Sequence, residues 1–238
     1  MVQVLDTGIA HAEENMACDA NLLADLDPFG QPILHFYRWE GLSASFGHFV
    51  RLEKLVNLDE AASHRVSFAK RPTGGGLVFH IWDFAFSFLM PASHNLFSQN
   101  PLDNYRFVND LVLQAVAGTF SLQGTPFLTE ENFIAPSVEC SHFCMARPTQ
   151  YDVVWQGMKI AGAAQRKTKK GYLHQGTISL AKPHLPLLQK ILRSESAVLD
   201  AMAAYTFAPL GQYEKDSLLE EARQLLQQRL MEKFMEKL

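Results

Sequence analysis

The chain has 238 residues, is 47% hydrophobic and carries a formal charge of −4 at pH 7, with a pI of about 6.1. That is enough apolar material for one full core, and the charge balance sets aside a nucleic-acid or membrane-surface protein. No run reaches the roughly 18 apolar residues of a membrane span, and the start MVQVLDTGIAHAEENMACD lacks the basic and apolar regions of a secretory signal. Cys18, Cys140 and Cys144 are too few and too odd in number for a disulfide framework, so a cytoplasmic setting is expected. Cys140, His142 and Cys144 lie close together, but zinc wants four ligands and no second cluster follows; no metal site is expected from them.

Residues 11–26 read as a helix, with Met16, Ala17, Ala20, Leu23 and Ala24 recurring at three and four, stopped by Asp27-Pro28-Phe29-Gly30. PILHFYRWEGLSASFGHF reads as two aromatic-rich strands broken at Glu40-Gly41. A short helix over 58–64 leads to a strand in HRVSFAKRP, then LVFHIWDFAFSFLMP reads as a strand pair. Residues 101–120 form an amphipathic helix with Tyr105, Val108, Leu111, Val112, Ala115, Val116 and Phe120 on one face. A loop with Pro126, Pro136 and Pro148 follows, and then three strands in YDVVWQGMKIAGAAQRKTKKGYLHQGTISL. From 183 the pattern is helical. The last helix, about 213–237, carries Leu218, Leu219, Ala222, Leu225, Leu226, Leu230 and Phe234. The sum is α+β, a mostly antiparallel sheet with packed helices. A single domain is expected over 1–238, with a core to 185, a helical segment over 186–238 and no large accessory domain.

Two segments stand out. In KRPTGGGLVFH, Gly74, Gly75 and Gly76 follow Arg71 and precede Leu77, Val78, Phe79 and His80. A backbone without Cβ atoms lets another group approach closely, and a guanidinium suits phosphate or carboxylate. The bland alternative is a turn or bulge. The pattern matches neither common nucleotide-binding glycine motif. In MKIAGAAQRKTKKGYLHQG, Lys159 lies inside an apolar strand. Such a lysine either snorkels to water from an edge strand or holds an anionic or carbonyl group at a reacting centre. Arg166, Lys167, Lys169 and Lys170 read as a solvated turn or a surface for an acidic partner.

Together these segments resemble the lipoate–protein ligase family, with its Arg-x-[Ser/Thr]-Gly-Gly-Gly-x-Val-x-His motif and its later Lys-[Ile/Val]-[Ser/Ala]-Gly-[Ser/Ala]-Ala motif. The chain has RPTGGGLVFH at 71–80, KIAGAAQR at 159–166 and HQGTISL at 174–180. ENMACDANLL and HFYRWEGLSASFGHF are also similar, so the resemblance runs to about residue 185. It implies the α+β fold shared with biotin–protein ligases and transfer of a lipoyl or octanoyl group to a lysine of lipoyl domains. Those domains belong to 2-oxoacid dehydrogenase complexes or the glycine cleavage H protein. It further implies an acyl and adenylate site at Arg71, Gly74 to Phe79, His80, Asp152, Gly162 and His174, with Lys159 at the carbonyl. The Gly-Arg-Gly-Arg segment of biotin–protein ligases is missing.

The family has two chemical routes. A ligase would use ATP and Mg2+ with lipoate. The intact third glycine, Gly76, and Lys159 favour this route, although Ile81 and Trp82 displace Asp83 from its usual place after the histidine. A cysteine-dependent octanoyltransferase needs no cofactor beyond an acyl donor such as an acyl carrier protein. CMARPTQYD matches its Cys-x-x-x-Pro-x-x-Tyr-[Glu/Asp] pattern through Cys144, Pro148, Tyr151 and Asp152. Near Lys159, Cys144 would act as a thiolate nucleophile; the alternative is a small packing residue. A non-catalytic homologue that only grips acylated partners is the reading from a different class.

Overall fold

A computed structural model describes residues 1–131, 140–193 and 195–238, so Pro136 lies outside the described residues. In chain order the first half runs β1 (Gln3–Ala10), α1 (Ala12–Ala24), β2 (Ile33–Trp39), β3 (Leu42–Phe46), α2 (Leu52–Leu55), α3 (Leu58–Ser63), β4 (Val66–Lys70), β5 (Leu77–His80) and β6 (Asp83–Pro91). The second half runs α4 (Pro101–Thr119), β7 (Phe127–Leu128), β8 (Val153–Trp155), β9 (Met158–Lys167), β10 (Gly171–Ser179), α5 (Leu185–Ile191), α6 (Glu195–Tyr205) and α7 (Asp216–Lys237). A seven-stranded sheet has the order β1-β2-β6-β10-β9-β8-β7, and a three-stranded sheet the order β4-β3-β5. Among the described strands, the β1–β2 and β3–β4 pairs are parallel and the other pairs antiparallel, as the α+β reading expects.

β6 shows why the sheet is covered on both sides. All nine of its residues are buried. Its side chains alternate, so Phe84, Phe86, Phe88 and Met90 enter the core under α4 and α7. Leu89 meets Leu23 of α1 on the opposite face. Val108, Leu111, Val112, Ala115 and Val116 of α4 fill that core beside Leu226, Leu230 and Phe234 of α7, with the Phe88 and Phe234 rings 4.6 Å apart. Leu218 and Leu225 lie off this face: Leu225 is 40% exposed and Leu218 half-buried. A second core joins β3 and β5 to α5 and α6 through Ala44, Leu77, Phe79, Phe143, Leu188, Ile191 and Met202. The C-terminal helices therefore pack on the strands that carry the motifs.

Two local features depart from the sequence expectation. β1, with its largely exposed pattern and no apolar period, adds as a parallel edge strand on β2. The buried face of α1 runs through Asn15 and Asp19, while Ala17 and Ala24 are exposed. Those polar groups are buried because they are bonded. Asn15 donates to the Ala10 and Arg38 carbonyls at 3.2 and 2.8 Å.

Candidate active site

The glycine loop is a built object, held from three sides. Arg71, only 6% exposed, donates through Nη1 to the Ser45 carbonyl and hydroxyl, each at 2.8 Å. Its Nη2 donates to the Gly74 and Gly76 carbonyls at 3.0 and 2.7 Å. The guanidinium thus closes the loop on itself. Thr73 donates to Gln175 Oε1 at 2.6 Å, and the Gln175 amide donates to Asp19 Oδ2 at 2.6 Å. Asp19 also receives Ser87 Oγ at 2.5 Å and lies 2.8 Å from His35 Nδ1. This buried chain ties the loop to β10, α1 and β2.

The three glycines do different work. Gly75 has a φ of +88°, a conformation that L side chains rarely adopt. A methyl group on Gly76 would overlap the His142 carbonyl, so the loop around Cys144 packs directly on this backbone. A methyl on Gly74 would meet nothing within 4 Å.

Cys144 sits where that contact brings the two loops together. Its Sγ accepts from the Gly76 N–H at 3.1 Å, and its own N–H donates to the Leu77 carbonyl at 3.2 Å. The thiol is partly exposed. Lys159 Nζ donates to the Cys144 carbonyl at 3.0 Å and pairs with Asp152 Oδ2 at 2.8 Å. The lysine is 3% exposed and the aspartate fully buried, so this lysine is paired rather than snorkelling. Asp152 also accepts from the Thr149 N–H at 2.7 Å, the Thr149 hydroxyl at 2.8 Å and the Tyr105 hydroxyl at 2.7 Å. Burial first, then the Asp152 charge, pushes the Tyr105 hydroxyl well above its usual pKa, so it remains a donor. Gly162 leaves room for the pair: a Cβ there would stand 2.7 Å from Asp152 Oδ1.

The two histidines play separate parts. His80 Nε2 lies 2.6 Å from Ser45 Oγ and its Nδ1 2.6 Å from Asp83 Oδ2. The displaced Asp83 therefore still reaches the histidine. Trp82, at a φ of +60°, turns the chain between β5 and β6 and brings Asp83 back under the ring. Thr177 Oγ1 donates to the same carboxylate at 2.6 Å. His174 is fully buried between the Phe86 and Tyr105 rings, with Nδ1 2.8 Å from the Gln165 amide. Burial lowers its pKa from 6.5 to about 3, so it is neutral at working pH.

A narrow slot joins these groups. It is lined by Arg71, Val78, His80, Cys144, Lys159 and Gly162, with Met16, Tyr37, Trp39, Met145, Ala163 and Ala164 as apolar wall. Its open space is about 30 Å3. Met16 and Met145, adaptable side chains, narrow it. Of the expected residues, Gly74, Gly75 and Gly76 do not line the slot, Leu77 and Phe79 turn into the second core, Asp152 stands behind Lys159, and His174 is packed against Phe86 away from the slot. Ser45 and Asp19 hold the site although no motif contains them; Thr73 and Gln175 stand inside the quoted motifs and Asp83 beside one, without the spacing alone assigning them these bonds. The only sequence signal for Asp19 was a carboxylate on the apolar side of α1.

A family model described as the lipoyl protein ligase A/B catalytic domain matches residues 11–234. Octanoyltransferase LipM of Lysinibacillus sphaericus is 31% identical over 202 residues, covering 83% of this chain and 72% of that protein. Its namesake in Geobacillus kaustophilus is 32% identical over 180 residues, 74% of this chain, and this chain spans 64% of it. A crystal structure of lipoate-protein ligase A bound with ATP has a TM-score of 0.71 at 23% identity, covering 98% of this chain and 85% of that one. A bipartite lipoate protein ligase from Thermoplasma acidophilum has a TM-score of 0.70 at 20% identity, covering 98% and 83%. The structures share the fold, and the matched residues take in both motifs, the cysteine loop and most of α7. The chain belongs to the lipoyl protein ligase A/B catalytic domain family.

Proposed function

We propose that the protein transfers an octanoyl group from a carrier-bound thioester to the acceptor lysine of a lipoyl domain, through a thioester on Cys144. The observation that carries this is the placement of the Cys144 sulfur: partly exposed, on the rim of the apolar slot, with the Gly76 N–H pointing at it from 3.1 Å. Similarity to proteins named octanoyltransferase supports it. The activity is assigned to residues 1–238 as one catalytic unit.

In the first step the Cys144 thiolate attacks the carbonyl of the donor thioester. The carrier's thiolate leaves and takes a proton, and the acyl group remains on Cys144. In the second step the neutral amine of the acceptor lysine attacks the new thioester, Cys144 leaves as thiolate, and the amine gives up a proton as the amide forms. Lys159, through the Cys144 carbonyl, fixes the nucleophile's backbone, and as a slot-lining cation it adds positive potential near the developing charge on the acyl oxygen. The apolar slot receives the tail, each buried methylene contributing about 0.8 kcal/mol. Met16 and Met145 move aside to admit it.

This order reverses the preference that the sequence gives to the adenylate route. That preference rested on Gly76 and Lys159; Gly76 has a packing reason of its own in the His142 carbonyl, and Lys159 serves either route. The slot also fits a polyphosphate poorly. All four terminal donor directions of Arg71 that reach a partner end on loop or β3 oxygens, and Lys159 is held by Asp152 and Cys144. No step is routed through ATP or Mg2+. The donor in this reading is an acyl carrier protein, and the acceptor a 2-oxoacid dehydrogenase lipoyl domain or a glycine cleavage H protein.

Intact-protein mass spectrometry of a lipoyl domain tests the route. Octanoyl-carrier protein without ATP is expected to modify the acceptor, with an octanoyl adduct on the wild-type enzyme, and Cys144→Ala is expected to lose both. Modification that requires lipoate or octanoate with Mg-ATP and survives Cys144→Ala establishes the ligase instead.

A further inference from the structure

The acyl slot does not stand alone in the fold. Tyr37, Trp39 and His80 line it from within and also line a second cavity of about 230 Å3 on the other side. That second cavity is bounded by Ile9, Phe36, Leu42, Trp82 and Phe84, with Arg38, Glu220 and Arg223 at its outer side. Arg38 and Arg223 both pair with Glu220, at 2.6 and 2.8 Å. What separates the spaces is a flat aromatic partition. The Trp39 and His80 rings stack at 4.0 Å with planes 16° apart, and Tyr37 meets Trp39 edge-on at 5.4 Å.

The partition is stiff because His80 cannot turn. Both of its ring nitrogens are engaged, by Ser45 and Asp83, each at 2.6 Å. Ser45 is in turn held by Arg71, and Asp83 by Thr177. The glycine-loop clamp and the stack therefore share one hydrogen-bonded frame. By contrast, the slot's border with a further cavity under α6 is made by Val78, Met145 and Thr177, smaller or more adaptable side chains.

We infer that the Trp39–His80 stack is the end wall of the acyl slot and sets the length of chain that the protein accepts. Trp39 is its specificity-determining residue. The inference rests on the reading of the slot as an acyl site, but not on the cysteine route. A medium chain ends against the stack. A longer one has no space until the wall is removed, after which it runs into the cavity beyond. Each methylene that gains a buried environment strengthens binding by about fourfold.

Binding of free fatty acids separates these questions, because it needs neither ATP nor a thioester. Calorimetric titration with hexanoate, octanoate, decanoate and dodecanoate is expected to show wild-type affinity rising to octanoate and falling beyond it. Trp39→Ala is expected to move the optimum to decanoate or dodecanoate, with dodecanoate gaining at least about tenfold over wild type. Trp39→Leu, a smaller filler that tests the same wall with less disturbance, is expected to give an intermediate shift, and Val78→Ala no shift. Circular dichroism confirms that each variant is folded. An unchanged optimum in both Trp39 variants overturns the inference, as does a shift in Val78→Ala alone, which would put the end of the slot under α6. Wild-type protein that binds no fatty acid overturns the acyl slot itself together with its wall. A wild type that binds octanoate but forms no Cys144 adduct overturns only the transferase route.

Discussion

β9 and β10 form one antiparallel ladder whose two ends live in opposite physical worlds. At the inner end, Lys159 is 3% exposed and its charge is answered by a fully buried Asp152. At the outer end, Arg166, Lys167, Lys169 and Lys170 are all exposed. Among the described residues, three of them donate to backbone or amide oxygens: Arg166 to Pro72, Lys167 to Gln99 and Lys170 to Ala24. The same residue types lie within about a dozen positions of one another. What distinguishes them is the cost of leaving water. A buried cation without a partner is destabilising by several kcal/mol, whereas an exposed one is nearly indifferent to its neighbours.

Breaking the inner pair gives the largest effect. Lys159→Ala is expected to abolish acyl transfer and also to destabilise the protein by about 3–5 kcal/mol, because Asp152 is left charged and buried. The sequence does not announce this cost, since a lone lysine in an apolar strand carries no sign of its partner. Urea unfolding with an unchanged m-value measures this cost. A loss below about 1 kcal/mol would make the ladder's two ends alike and break the comparison. Gly162→Ala sharpens it. The added methyl must displace the Lys159 ammonium or the Asp152 carboxylate, so activity is expected to fall with a smaller loss of stability than in Lys159→Ala.

How much was legible follows from the same contrast. The long elements announced themselves. α4 and α7 carry sustained three-and-four spacing, and the break at Glu40-Gly41 has a glycine at a φ of +64°. β1 did not, because its exposed pattern has no apolar period and only pairing with β2 makes it a strand. Nor did the turn at Trp82, where a bulky residue takes a positive φ that sequence rules reserve for glycine or asparagine. In the site, the motifs found Arg71, the glycines and Lys159. They could not say that Arg71 would close its own loop, or that Gly76 makes room for His142. The first is a short-range closure onto backbone carbonyls, which residue types do not announce, and the second is a contact between segments far apart in the chain.

Between the two ends of the ladder stands His174, paired in register with Gln165. It is buried like Lys159 but has no charged partner among the described residues, and burial keeps it neutral. The sign of the resulting pH dependence is fixed. Its folded pKa, about 3, is depressed below the ordinary 6.5, so the unfolded chain binds the extra proton between those values. Stability from this residue is complete above about pH 6.5 and is lost at about 1.4 kcal/mol per pH unit as pH falls towards 3. Between pH 7 and pH 5 the wild type is expected to lose on the order of 2 kcal/mol more than His174→Gln in matched urea melts. Equal slopes would mean that the ladder is wetter at its midpoint than its burial implies.

The outer end gives the smallest effect on stability, and there the difference between binding and folding becomes measurable. Reversing Lys169 and Lys170 to glutamate is expected to change unfolding free energy by no more than about 0.5 kcal/mol, since neither charge is buried. Arg166 belongs to the groove on the outside of the glycine loop, alongside Lys70, Pro72, Gly74 and the exposed Phe49. A protein that presents its lysine to Cys144 from that side meets this basic hairpin first. Charge reversal is therefore expected to raise the acceptor KM a few-fold at low salt while leaving kcat and the Cys144 adduct rate unchanged, with the difference shrinking as salt is added. An unchanged KM would place the acceptor's approach elsewhere on the surface and leave the hairpin cations as solvated turn residues. A lowered kcat would instead mean that the outer end of the ladder is mechanically coupled to Lys159, and the contrast between the two ends would then be one of degree.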